Sequence, residues 1–208
     1  MASPYLVAVE GYADALRQIQ DLDGAVSQSA RQAVNRTIDW ARTRSAEEIM
    51  RQVNFGKEYL TGRDGRLQVR KKARGDDLEA VLVGRQRATS LARFTDTRDP
   101  GVTRREGGVR VEVKPGSEKF MKRAFLMRLR AGSQLTDTKY NLGLAIRLRP
   151  GEKLANKTRI QQINTNLFLL YGPSVDQVFR TVAPEIAPRV ESYLETEFLR
   201  LLEVQRRG

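Results

Sequence analysis

Glu112-Val113-Lys114, with Asp99 upstream, is the stretch whose residue types and spacing could do chemistry. An acid and a lysine two apart on one strand face, joined by a second acid, can hold Mg²⁺ and position a water. Restriction-type nucleases use that arrangement, and a basic chain would suit a DNA substrate. The motif fixes only two residue types, however. Arg110, Glu112 and Lys114 read equally as the solvated face of a strand whose valines point inward. A nuclease would show Mg²⁺-dependent DNA cleavage that Glu112→Ala abolishes; wild-type protein that cuts nothing removes the reading.

The rest of the inventory narrows the chemistry further. The chain has no histidine and no cysteine, which excludes Ser-His-Asp, Cys-His and zinc-hydrolase sites, disulfides and thiolate metal centres. Glu47 and Glu48 are neighbours on a helical stretch, where adjacent side chains do not face each other. Asp76-Asp77 sits in a turn, and Gly107-Gly108 lacks the helix and lysine of a phosphate loop. Lys71-Lys72-Ala73-Arg74 and Arg104-Arg105 could meet phosphate, but no interleaved aromatics offer a base-stacking platform. No catalytic, cofactor-binding or metal-binding residue is assigned, and the expectation is a protein that is not an enzyme and has no cofactor.

Composition sets the frame. The 208 residues carry a formal net charge of +12 and are 40% hydrophobic but only 7% aromatic. One domain with a core of Leu, Val, Ile and Ala is expected over residues 1–208. Residues 51–150 hold 24 basic and 11 acidic side chains, whereas both ends are nearly balanced. Such a belt attracts DNA or acidic protein surfaces; a solvated face, or one neutralised by neighbours in an assembly, has the same composition. No stretch approaches the roughly 18 apolar residues of a membrane span. The first residues lack the basic and apolar regions of a signal peptide, so a soluble, non-secreted chain is expected.

These features need elements to hold them. Tyr12–Leu22 reads as a helix. From Ala25 to about Val53, Val26, Ala30, Ala33, Ile38, Ala41, Ile49 and Val53 follow helical spacing without a proline or glycine. That stripe is an internal spine or a surface for another subunit. Lys57–Leu60 is a helical turn. Leu67 with Val69, and Leu78 to Leu82, predict paired strands joined through residues 73–77. Val109, Val111 and Val113 form a half-buried strand; Phe120–Arg130 and Leu142–Leu148 are further strands. Ala88–Pro100 and Ala131–Tyr140, within the poorly defined stretches 85–105 and 131–140, read as long loops. Val175–Val182 and about Glu185–Val204 read as two C-terminal helices, with Pro188 forcing a kink or a delayed start. The order is helical (1–54), basic and strand-rich (55–150), then turn and helical arm (151–208). It predicts an α+β fold: a long N-terminal helix and C-terminal helices packed on a mainly antiparallel sheet of about 4–5 strands.

Leu170-Tyr171-Gly172-Pro173-Ser174-Val175 reads as a chain reversal and a helix start. Gly172 would supply unusual backbone angles and Ser174 a capping box with Gln177. Tyr171 reads as a packing aromatic. This stretch, with Val178-Phe179 after it, resembles the C-terminal signature of the phage minor tail protein Z family. Arg149-Pro150-Gly151-Glu152 and the segments Gln32–Thr37 and Arg42–Arg44 are similar to other parts of that family. The resemblance touches residues 25 to 200, apart from about 85–140.

The resemblance implies a structural virion protein that completes the tail at its head-proximal end and supports head–tail joining, made in the host cytoplasm. It implies a homo-oligomer, a ring such as a hexamer, in contact with tail terminator, tail tube and head-connector proteins. DNA contact stays open. On this reading Tyr171, Gly172, Pro173, Ser174, Phe179, Arg104, Arg105, Lys71 and Lys72 are the candidate subunit or partner contacts. DNA binding through residues 51–150 and a metal nuclease are the alternatives.

Overall fold

The computed structural model describes residues 24–129, 141–152 and 160–207. Its elements, in chain order, are α1 (Gly24–Gln52), α2 (Lys57–Thr61), β1 (Leu67–Lys71), β2 (Val81–Gly84), β3 (Thr89–Ser90), a 3-10 turn (Leu91–Phe94), α3 (Pro100–Arg105), β4 (Gly108–Lys114), β5 (Ser117–Lys122), β6 (Ala124–Leu129), β7 (Asn141–Arg147), β8 (Ile160–Asn164), β9 (Leu167–Gly172) and α4 (Val175–Arg207). This is an α+β fold, and every strand pairing is antiparallel. The predicted helix at Tyr12–Leu22 and loop at 131–140 lie outside the described residues. No helix among those described is long and apolar enough to cross a membrane.

The chain divides into two compact units. One comprises the described residues up to Met50, Gly56–Gln86 and those from Val175 on; the other comprises Arg51–Phe55 and the described part of Arg87–Ser174.

In the first unit, α1 buries a face of small residues: Ser29, Ala30, Ala33, Ala41, Ser45 and Ala46, with Ile38 and Ile49 between them. Small side chains let a second helix approach, and α4 runs antiparallel along this face. Ala33 packs with Leu194, Phe198 and Leu201. Trp40 stacks on Tyr193 with ring centroids 4.7 Å apart, and Arg189 reaches Glu48 at 3.1 Å. At Ala33 the predicted stripe on α1 thus meets the chain's own C-terminal helix. Beside this pair, β1 and β2 form a ladder from Leu67↔Gly84 to Lys71↔Val81. Gly84 touches the start of α4 so closely that a Cβ there would sit 2.7 Å from the Asp176 Cα.

The second unit is built on a five-stranded sheet ordered β3-β9-β7-β6, with β8 also paired to β9. Leu126, Leu144 and Leu170 stack across three strands of one sheet face, and all three are buried. A separate ladder pairs β4 with β5 through the turn at Pro115-Gly116, where Gly116 takes φ 73°. The other side of β4 is used as well: Asn54 N–H donates to the Val113 carbonyl at 2.8 Å, and Thr95 bridges Val111. The Thr103 hydroxyl, buried on α3, donates to the Pro100 carbonyl at 3.0 Å and accepts from Leu126 N–H at 3.1 Å.

Four sequence expectations are corrected. Phe120–Arg130 is not one strand, because Arg123 takes φ 64° and separates β5 from β6, which pair in different ladders. Ala88–Pro100 is not a long loop: Thr89, Ala92 and Phe94 are buried, and Phe94 meets Phe55 at 5.4 Å. Leu167–Gly172, not expected as a strand, is the strand that joins β3, β7 and β8. The two C-terminal helices are one, with Pro184 and Pro188 inside it. Both prolines lie on the exposed face, so the carbonyls that lose their donors, those of Arg180 and Pro184, are not trapped in the core. Burial of Val182, Ala183, Ile186 and Val190 offsets the lost bonds.

Glu197 locks the helix pair. It is 8% exposed, with Arg36 Nη1 at 2.7 Å and Arg200 Nη2 at 2.7 Å. Hydrogen bonds from Arg200, then Arg36, lower its pKa from 4.5 to about 2 against the opposing effect of burial. A depressed carboxylate stabilises the fold fully above its unfolded pKa, and that contribution is lost as pH falls through the folded value. Both guanidiniums are about half exposed, which discounts the effect. Glu197→Gln is expected to cost about 1–3 kcal/mol at pH 7 and to flatten the decline in stability between pH 4.5 and 2. Urea unfolding followed through the single tryptophan, Trp40, measures it; an unchanged acid profile would remove Glu197 as the source.

Candidate interaction surfaces

Lys71 and Lys72, two of the basic residues singled out by sequence, are held by the chain's own groups. Asn35 grips the Lys71–Arg74 run as a strand edge would: Nδ2 donates to the Ala73 carbonyl at 3.0 Å, and Oδ1 accepts from Ala73 N–H at 2.9 Å. Lys71 pairs with Asp77 at 2.7 Å and also with Glu79. These bonds, Asp77's first, raise the Lys71 pKa above the usual lysine range and, from the other side, lower that of Asp77. Lys72 meets Asp39 at 2.6 Å. Arg42 on α1 donates to the carbonyls of Leu67 and Thr61 at 2.9 and 2.8 Å, which fixes β1 and the end of α2.

In the second unit, Arg123 forks onto Glu152 with bonds of 3.0 and 2.9 Å. Glu152 also accepts from Arg149 N–H at 2.8 Å. Arg123, then the Arg149 amide, hold the Glu152 carboxyl below its usual range. The Arg149–Glu152 turn is thereby tied to the residue that separates β5 from β6.

In the Glu112-Val113-Lys114 stretch the acid is engaged by the chain's own groups. Glu112 accepts from Asn54 Nδ2 at 3.2 Å and from Gly116 N–H at 2.7 Å, so its carboxylate caps the β4–β5 turn. Among the described residues no group of three acidic side chains could hold a metal ion.

The strand-to-helix joint is interior. Gly172, Pro173, Ser174 and Phe179 are buried, and Phe179 is fully so. They pack rather than present a surface. Gly172 ends β9 opposite Thr89, so the segment is a strand end and not a reversal. Gly172 does not take a positive φ; what it provides is space, since a Cβ would stand 3.1 Å from Leu91 Cδ2 and 3.2 Å from Phe94 Cε2. Tyr171 is half-buried, and its hydroxyl donates to Gln161 Oε1 at 2.9 Å. Lys72 and Arg105 are exposed and Lys71 is half-exposed, while Arg104 is placed on α3.

Sequence reasoning missed an open surface on β5. All of β5 except Met121 is exposed, and Phe120 is 49% exposed. Gly108, Arg110 and Glu112 oppose Lys122, Phe120 and Glu118, giving the hairpin one face of mixed charge around an aromatic ring. The Phe120 ring lies over Gly108, where a Cβ would come within 2.5 Å of it. Arg110 Nη1 meets Glu118 at 3.0 Å. Lys114, Lys119 and Lys122 are exposed and make no ion pair among the described residues. The alternation Ser117-Glu118-Lys119-Phe120 carries no clean apolar period, and that is why the strand was misplaced.

What the described residues offer is packing and charged surface. The sequence model of the prophage minor tail protein Z family matches residues 9–207, and the chain belongs to that family. It is accordingly a structural protein of the phage tail. No curated protein and no solved structure matches the chain.

The joint yields a test. Gly172→Val is expected to destabilise the protein by about 1–3 kcal/mol through crowding against Leu91 and Phe94. Gly172→Ala should cost about 1 kcal/mol or less, because the two side-chain tips can shift slightly. Denaturant midpoints measure both; equal stability of wild type and the valine variant would refute the packing account.

Proposed function

We propose that this chain completes the phage tail at its head-proximal end and supports joining of the tail to the head. The observation that carries the reading is the family match across residues 9–207. The chain works as a homo-oligomer, a ring of six copies being the arrangement that repeats the contacts of a six-fold tail tube. Its neighbours are the tail terminator, the tail tube and the head-connector proteins, and assembly takes place in the host cytoplasm. Lys71, Lys72, Arg105 and Tyr171 are the original candidates with atoms at the surface, and they are offered as contacts to those neighbours.

Removing the gene decides the matter. Lysates lacking the chain should hold full heads and full-length tails that do not join, and adding purified protein should restore joining, as counted by electron microscopy. Normal joining without the chain would overturn the proposal. DNA contact remains a second reading because Arg105, Lys114, Lys119 and Lys122 are exposed. It requires DNA affinity that falls steeply with salt, and retention insensitive to salt would exclude it.

A further inference from the structure

Among the described residues, nothing pairs with the outer edge of β5. On its inner side β5 is fully paired to β4 from Gly108↔Lys122 to Lys114↔Ser117, and no described residue bonds to the backbone of its other side. A two-stranded ladder is marginal alone, and an unpaired edge templates another strand. We propose that this edge pairs with the same edge of a second copy, in an antiparallel register centred on Phe120.

The choice of partner and register follows from the sequence of the strand. Two identical antiparallel strands are related by a two-fold axis. Along β5, residues alternate between those whose amide and carbonyl face β4 and those whose groups face outward. The axis must therefore pass where a residue lies opposite its own copy, because any register between residues sets an outward group against an inward one.

Few centres are available. With the axis at Phe120, the rings meet each other and Glu118 lies opposite Lys122 on both sides of the axis. Lys119 then faces Met121. Centring on Lys119 opposes two ammonium groups, and centring on Glu118 opposes two carboxylates. Centring on Met121 leaves only Phe120 to Lys122 of each strand overlapping. Cross-strand pairs of opposite charge and of aromatic rings stabilise a ladder, and like charges destabilise it. The Phe120 register alone combines five opposed residues with complementary charge.

The side chains stand where this pairing needs them. Glu118, Phe120 and Lys122 share one hairpin face with Arg110. Phe120 is 49% exposed, and the Glu118 side chain is 49% exposed even with Arg110 beside it. The contact is isologous and closes at two copies. It is a property of the free chain, goes beyond the tail reading, and does not depend on it.

Sedimentation equilibrium of the full chain tests the pairing by charge exchange. Wild-type protein should dimerise in the micromolar range. Glu118→Lys and Lys122→Glu each set like charges opposite one another twice, and each should raise the dimer Kd about tenfold or more at low salt. Combining them restores opposite charges and should return the Kd to within about threefold of wild type. A wild type that stays monomeric, single variants that dimerise normally, or a double variant that stays dissociated would each overturn the proposal. If a single substitution unfolds the hairpin by circular dichroism, the double variant decides: a dimer supports the register and a monomer overturns it.

Discussion

The contact on which the first unit depends is the antiparallel pairing of α1 with α4, joined by Arg36 and Glu197 at a sequence separation of 161. Closing so long a loop costs chain entropy before any contact is gained. Several features offset it together. Alanine and serine on α1 leave room for α4, Trp40 stacks on Tyr193, and Glu197 meets two guanidiniums. A carboxylate this withdrawn from water is tolerable because both cations reach it; with either removed, its charge would be poorly compensated.

The segment from Arg87 to Ser174 leaves and re-enters the first unit at neighbouring points, because Asp176 N–H donates to the Arg85 carbonyl at 3.1 Å. Gly84 and the first turn of α4 can approach that closely only without a Cβ. The larger part of the second unit, the described part of Arg87–Ser174, is thus inserted between β2 and α4, while Arg51–Phe55 joins it from between α1 and α2 through the Phe55–Phe94 contact. Gly84 within the first unit and Gly172 within the second each supply space for a close approach.

Charge is distributed on the same principle. A net charge of +12 suggests a basic surface for a polyanion. Yet Lys71, Lys72, Arg110 and Arg123 each face a carboxylate within the chain, and Arg42 is spent on backbone carbonyls. Exposed pairs of this kind contribute little stability. They shape the field instead, and leave an outward hairpin face on which both signs of charge surround Phe120.

Much was legible from consecutive residues. The stripe from Val26 to Val53 fixed α1 almost to its ends, and the valines of β4 and leucines of β7 marked their strands, since periods of 3.6 and 2 are written locally. The missing histidine and cysteine narrowed the chemistry, and the Leu170–Val175 stretch pointed to the family. Tertiary contacts decided the rest. They set α4 against Ala33 and Trp40 of α1, made Leu167–Gly172 a shared strand, split the ladder at Arg123 and joined the C-terminal helix across two prolines. They also turned Gly172 from a backbone hinge into a matter of space. Each of these outcomes depends on residues distant in sequence, and a local pattern carries no record of the partner it will meet.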